Sequence, residues 1–216
     1  MNAREIDLAG ERVLLLPEKA LYWPARKILV IADIHFGKAA SFRAQGVPVP
    51  RGTTTQNLDA LDALMAQHDT LEIVFLGDFL HARAAHAPAT LAAMQAWRER
   101  NRGVILTLVR GNHDVRAGDP ALSLAINMAD EPHTVGVFSF CHHPDIVAPG
   151  YVLAGHVHPV YILSSRLDSL RLPCFLAGPS RMILPSFGAF TGGYPVNPNA
   201  SEHVYVSSGE AVHSVR

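Results

Sequence analysis

Five short segments concentrate the residues able to do chemistry: Asp33-Ile-His35, Gly77-Asp78, Gly111-Asn112-His113-Asp114, Cys141-His142-His143-Pro144 and Gly155-His156-Val157-His158. Carboxylate, imidazole and amide oxygen make a borderline-to-hard donor set. It suits manganese, iron or zinc rather than calcium, and it lacks the cysteine cluster of a structural zinc site. Asp33, His35, Asp78, Asn112, His142, His156 and His158 offer seven protein ligands. That is too many for one ion that must keep a position open, and it suits two ions sharing a carboxylate. Two metals about 3.5 to 4 Å apart form the clamp used in phosphoester hydrolysis. Taken singly, each segment has an ordinary explanation: Gly-Asp after a strand is common turn chemistry, and Asp-x-His can be a solvated turn. The weight lies in finding all five in order, each behind an apolar run.

Those runs supply the frame. Lys27 to Ala32, Glu72 to Leu76, Gly103 to Val109, Val135 to Cys141 and Tyr151 to Ala154 read as buried strands, and a chemical segment follows each. Ligand sites in open α/β sheets form at such carboxyl ends. The alternation in Asp-x-His and His-x-His fits a strand end, where residues i and i+2 point the same way. Between the first two strands, TTTQNLDALDALMAQH places Leu58, Leu61, Leu64 and Met65 on one helical face behind a Thr cap, which makes a βαβ crossover. A second helix is expected from Pro88 to Arg100, with Pro88 in the first turn and Leu91, Met94 and Trp97 spaced by three. After residue 150, short strands around Cys174, Met182, His203 and Val212 suggest a second, largely antiparallel sheet facing the first. GGYPVNPNAS reads as a surface loop.

At 216 residues, 49% hydrophobic and 17% charged, the chain is expected to form a single domain over residues 1–216 with a large core. With 18 Lys+Arg against 19 Asp+Glu, no global field draws it to nucleic acid or membranes, so a polyanion must be captured locally. Cys141 and Cys174 cannot make a disulfide framework, and the opening residues carry acids where a signal peptide needs a basic and then apolar run. The expectation is a reduced, cytoplasmic protein. Pro, Gly, His or a charge interrupts every apolar run short of the roughly eighteen residues that span a bilayer.

The series Asp33-x-His35, Gly77-Asp78, Gly111-Asn112-His113-Asp114, His142 and Gly155-His156-x-His158 resembles the calcineurin-like metallophosphoesterase superfamily, from about residue 27 to 160. The resemblance implies an α/β fold, a four-layer sandwich of two mixed β-sheets face to face flanked by helices, with two divalent metal ions at the strand ends. By position, Asp33, His35 and His158 would hold one metal and Asn112, His142 and His156 the other, with Asp78 bridging them. His113 looks like the family's catalytic histidine, and His143 stands beside His142 as an alternative ligand. Three further runs, DIHFGKAASFRAQGVPVPRGTTTQNL, HHP and RMILPSFGAFTGG, are similar to the ligase-associated DNA damage response endonucleases, a bacterial branch, over nearly the whole chain. That similarity implies a manganese-dependent phosphodiesterase cutting single-stranded DNA in DNA repair, a homodimer, and DNA repair proteins as partners. The alternative in the same superfamily is a small-molecule or nucleotide phosphodiesterase or phosphatase. A silent scaffold of this fold would show degenerate ligands, and here none of the seven is missing.

One departure matters. Phosphoprotein phosphatase relatives read Gly-Asp-x-x-Asp, whereas here Gly77-Asp78-Phe79-Leu80 leads to His81. The imidazole that replaces the carboxylate is expected beside the scissile phosphate as a second catalytic histidine, a proton donor or a phosphate contact. For capture of a polyanion, Lys38, Arg43, Arg51, Arg83, Arg110 and Arg116 flank the motifs, while Phe36, Phe42 and Phe79 are candidate stacking platforms for unpaired bases.

Overall fold

The computed structural model describes residues 2–49, 52–165 and 168–215. An antiparallel ladder of β1 (Arg4–Leu8), β2 (Glu11–Leu15) and β3 (Leu21–Trp23) leads into β4 (Ile28–Ala32). From β4 the chain crosses through α1 (Lys38–Ala44) and α2 (Thr53–Gln67) to β5 (Glu72–Leu76), then through α3 (Pro88–Arg100) to β6 (Ile105–Val109). α4 (Asn112–Ala117) precedes β7 (Ile126–Ala129). Strands β4 to β7 are parallel, and the sheet runs in chain order from β1 to β7.

The second sheet contains β8 (His133–Val135), β9 (Phe138–Phe140), β10 (Tyr151–Ala154), β11 (Pro159–Ser164), β12 (Ser169–Ala177), β13 (Arg181–Ile183), β14 (Tyr194–Pro195), β15 (His203–Ser207) and β16 (Val212–Ser214). Its order is β14-β11-β12-β13-β10-β9-β8, with β15 paired to β12 and β16. At its centre β10 lies parallel to both β9 and β13, so the sheet is mixed and begins before residue 150, which corrects the largely antiparallel expectation. The expected strand from Val135 to Cys141 is also divided. Gly136, at φ 59°, turns the chain between β8 and β9, and the two pair as a hairpin with Val135 opposite Phe138.

Alternation along the strands assigns the layers. In β4, Leu29 and Ile31 pack toward the helices against Leu58, Leu61 and Leu64 of α2 and Met94 and Trp97 of α3. Ile28, Val30 and Ala32 face the other way and meet Phe138, Phe140, Leu153 and Phe175 of the second sheet. Each fully buried apolar side chain of this size contributes about 1.5–3 kcal/mol. The outer face of the second sheet is closed by Cys174, Leu176, Val204 and Val206 with Tyr161 and Val196 over them. α3 starts at Pro88 as its sequence predicts, but α2 has Gly52 at its N-cap and no side-chain cap, so the Thr cap does not form. No helix among the described residues is long and apolar enough to cross a membrane.

Candidate metal centre

The strand ends meet on one rim: β4, β5 and β6 bring Asp33, His35, Asp78 and Asn112, while β9 and β10 bring His142, His156 and His158. The turns that carry them are unusual. Asp33, His35, Asp78, His156 and His158 have φ values of 51°, 50°, 50°, 71° and 52°, five of the nine non-glycine residues with positive φ among those described. Left-handed backbone costs a non-glycine residue roughly 1–2 kcal/mol and gathers where function demands it. It also replaces the strand-end explanation of the alternation. Asp33 and His35 lie beyond β4 and share a side because the chain curls, while Ile34 between them turns into the helix-facing core and Val157 into the outer cluster.

Bonds from neighbouring segments hold these turns. The loops after β4 and β5 are zipped together by His35 N–H to Asp78 O (2.9 Å), Phe36 N–H to Phe79 O (2.8 Å) and His81 N–H to Phe36 O (3.0 Å). Asn57 of α2 donates to Ile34 O (3.1 Å) and accepts Ala189 N–H (2.9 Å). The Ser186 hydroxyl donates to Asp33 O (2.8 Å). Neither Asn57 nor Ser186 was singled out by sequence reasoning, because each acts through backbone of another segment.

Asp33, His35, Asp78 and His158 place one donor atom each within 4.8 Å of one another. His158 Nε2 lies 3.4 Å from His35 Nε2 and 3.4 Å from Asp33 Oδ1. Across Asp78, His142 Nε2 lies 2.9 Å from Asn112 Oδ1 and 3.0 Å from His156 Nδ1. Asp78 spans the two groups, with Oδ2 3.6 Å from His35 Nε2 and Oδ1 3.5 Å from His142 Nε2. Its position is fixed by the backbone N–H of His113 in the first turn of α4, which donates to Oδ1 (2.9 Å). Asn112 therefore opens a short helix rather than ending a strand.

The donor set fits metal. Asp33 and Asp78 are 0% and 2% exposed, and among the described residues their ion-pair partners are imidazoles only. Buried carboxylates without a cation are costly, and divalent ions at the convergence would compensate both. His142 donates Nδ1–H to Leu76 O (3.0 Å), which leaves the Nε2 lone pair aimed at Asn112 and His156. A carbonyl behind a ligating imidazole is the usual way its tautomer is set. Burial, Lys38 and the neighbouring histidines lower the His35 pKa, and burial with His142 and His143 lowers that of His156, so both rings are neutral and able to ligate.

Three further residues line this place. His113 donates Nδ1–H to His81 O (2.7 Å), and its Nε2 lies 4.0 Å from Asp78 Oδ2. His81 stacks on His113 with ring centroids 4.8 Å apart, and burial, then Lys38 and His113, lower its pKa to about 4. Lys38, at the start of α1, is partly buried; burial lowers its pKa while Asp33 and Asp78 pull the other way. Asp114 accepts the N–H groups of Leu80 (2.9 Å) and Gly111 (3.0 Å) and caps α4. His143 falls in a second imidazole group with His142 and His156, and it donates Nδ1–H to Glu131 Oε1 (2.6 Å), which leaves its Nε2 lone pair open.

Phe36 and Phe79 are 1% and 4% exposed and belong to the core, so neither offers a base a surface. Phe42 is partly exposed instead, nearly parallel to His81 (19°, centroids 6.3 Å apart) and edge-on to Phe190. Phe190 comes from the late RMILPSFGAFTGG run and was not singled out as a stacking residue. Arg110 is committed to Asp119 (3.1 Å) and Asp130 (3.2 Å), which takes it out of the basic rim. Arg43, Arg83 and Arg116 are exposed, and Arg51 lies outside the described residues.

The profile of the calcineurin-like phosphoesterase family matches residues 26–156. The crystal structure of Pseudomonas putida nuclease MPE is similar over 99% of this chain and 100% of that one, at 44% sequence identity and a TM-score of 0.88. A search of curated proteins finds no match.

Proposed function

Because this chain belongs to the calcineurin-like phosphoesterase family, we propose that it is a dimetal phosphodiesterase that cuts DNA, a single-strand endonuclease of DNA repair with manganese as its suited ion. In this reading Asp33, His35 and His158 hold one ion, Asn112, His142 and His156 the other, and Asp78 both. The observation that carries it is the placement of Asp78, whose two oxygens face two separate donor groups at 3.6 and 3.5 Å. Likeness to a nuclease over the full length supports a nucleic acid as substrate. The same reading takes residues 1–216 as one domain, working in the cytoplasm as a homodimer alongside repair proteins.

Two divalent ions there would supply Lewis acidity and a nucleophile at neutral pH. The chain's own residues do the rest. With its Nδ1 proton given to His81 O, His113 turns Nε2 toward the metal pocket, where a proton on that nitrogen is in place to pass to the departing sugar oxygen. Were His35 to hold an ion through Nε2, its proton would lie on Nδ1, 3.4 Å from Nδ1 of His81. His81 then accepts at Nδ1 and keeps its own proton on Nε2. Neutral at physiological pH, it serves as a hydrogen-bond donor to a phosphate oxygen rather than as an acid. Lys38, within electrostatic reach of Asp33 and Asp78 but ion-paired to neither among the described residues, adds a positive charge for the negative diester.

The test pairs substrates on metal-stripped protein reloaded with manganese: closed circular single-stranded DNA, a bis-aryl phosphate and a mono-aryl phosphate. Nicking of the circle, lost in Asp78→Ala, is the expected result. Diester hydrolysis without nicking would move the substrate to small molecules, and a preference for the monoester would point to a phosphatase. A His81→Ala protein that cleaved DNA and the aryl diester at wild-type rates would end the role given to His81.

A further inference from the structure

Glu131 lies outside every sequence motif, between β7 and β8, yet its carboxylate gathers three bonds at the corner where the chain leaves β9. Oε2 accepts the backbone N–H of His142 (2.8 Å) and of His143 (2.9 Å), and Oε1 accepts Nδ1–H of His143 (2.6 Å). Burial works against the charge, and the bonds from His143 and His142 outweigh it, so the carboxyl sits below its ordinary range. His142 is thereby gripped at both ends, by Glu131 at the backbone and by Leu76 O at the ring. From this corner His142 Nε2 faces both Asn112 Oδ1 (2.9 Å) and Asp78 Oδ1 (3.5 Å). His143 gives its Nδ1–H to Glu131, and its Nε2 makes no bond to Asn112 or Asp78 among the described residues.

We propose that Glu131 is the positioning residue of the second metal, acting through the backbone of His142 to aim its Nε2. The proposal rests on the dimetal reading of the site. Partners of this kind, one bond removed from a ligand, typically change metal affinity by about 10–100-fold when lost.

The test counts bound manganese by native mass spectrometry and follows affinity by electron paramagnetic resonance titration. Wild type is expected to bind two ions. In Glu131→Ala the affinity for the second falls by about 10–100-fold while the first is retained, which also reports that the fold stands. Glu131→Asp keeps the charge but draws the carboxylate back by a methylene, and it should show the same selective loss in milder form even if the alanine variant does not fold. His143→Ala should keep the second ion within a few-fold. Second-ion affinity unchanged in the Glu131 variants would overturn the proposal, as would a His143→Ala protein as weak as Glu131→Ala, since the route would then run through His143. Wild type binding fewer than two ions would instead bring down the dimetal reading and this inference with it.

Discussion

Asp33, His35 and His158 all stand on left-handed backbone, whereas of the three residues across Asp78 only His156 does. Asn112 sits in the first turn of α4, and His142 is aimed from outside by Leu76 O and Glu131. One half of the site is thus written into left-handed turns, held at the backbone by Asn57 and Ser186 with the core behind them. The other half has one such turn and takes the aim of its His142 imidazole from Leu76 O and Glu131. A geometry fixed by backbone resists substitution at a distance, while one fixed by bonds can be undone from the periphery, so the second half is the more easily broken.

The strongest test of the division is the group common to both halves. Asp78→Ala removes the oxygen facing His35 and the oxygen facing His142 together, so both ions should be lost and activity should fall by more than about the hundredfold typical of a supporting residue. His158→Ala, confined to the first half, should retain one ion. Counting metals in the two variants decides: an Asp78→Ala chain that kept one ion would mean that the halves do not share it.

Gly77→Ala attacks the second half alone. An added Cβ would land on the ring of His142, and φ is 74°. Strain and overcrowding of about 1–3 kcal/mol each are expected. At about 2–4 °C per kcal/mol for a chain of this size, the melting temperature should drop by several degrees, with the second ion weakened and the first retained. Gly10→Ala separates the two causes, because Gly10 also has positive φ, 83°, but nothing lies within 4 Å of an added Cβ. It should cost stability and leave both ions in place.

The first half has a titratable brace. Lys19 donates from Nζ to Phe187 O (2.8 Å), and Phe187 N–H in turn holds Ala32 O (2.8 Å) just before Asp33. Burial lowers its pKa from 10.5 to about 8. The folded protein therefore releases this proton first, and between pH 8 and 10.5 the unfolded chain binds more of it. Stability linked to Lys19 rises with pH across that window and is lost as pH falls through 8, by roughly 3 kcal/mol at most. Denaturant unfolding of wild type against Lys19→Met should show the difference moving in favour of wild type from pH 8 to 10.5. A flat difference would remove the buried ammonium from the account.

What the sequence made legible follows the same line. The seven donor residues converge as their types and their places after apolar runs suggested, because strands β4 (ILVIA), β5 (EIVFL), β6 (ILTLV) and β10 (YVLA) are marked by short, mainly apolar runs. The left-handed turns were not legible, since Asp and His tolerate that backbone without announcing it. Glu131 was invisible for a different reason: it is eleven residues from His142, and only the hairpin of β8 and β9 brings it back. The turn of that hairpin hid near the start of what read as one strand from Val135 to Cys141, its sign being Gly136. Within the late run from Arg181 to Gly193 the sequence showed a short strand around Met182 and a similarity, with no hint that Ser186 would hold Asp33 O.

The mildest expected effect lies where the first half opens to substrate. Phe42 stands nearly parallel to His81, and His81 to His113, so a file of rings leads away from the metal pocket toward Phe190. Stacking on an aromatic ring contributes about 1–3 kcal/mol per unpaired base, and at a partly exposed ring the lower figure is the fair expectation. Phe42→Ala should raise KM for a single-stranded oligonucleotide about fivefold, which corresponds to about 1 kcal/mol, with a smaller change in kcat. A bis-aryl phosphate has no neighbouring base to lose, so its KM should move less than that of DNA. Equal losses on both substrates would show that Phe42 acts by packing against His81 rather than by holding a base, and the ring file would then belong to the catalytic wall instead of to the path of the strand.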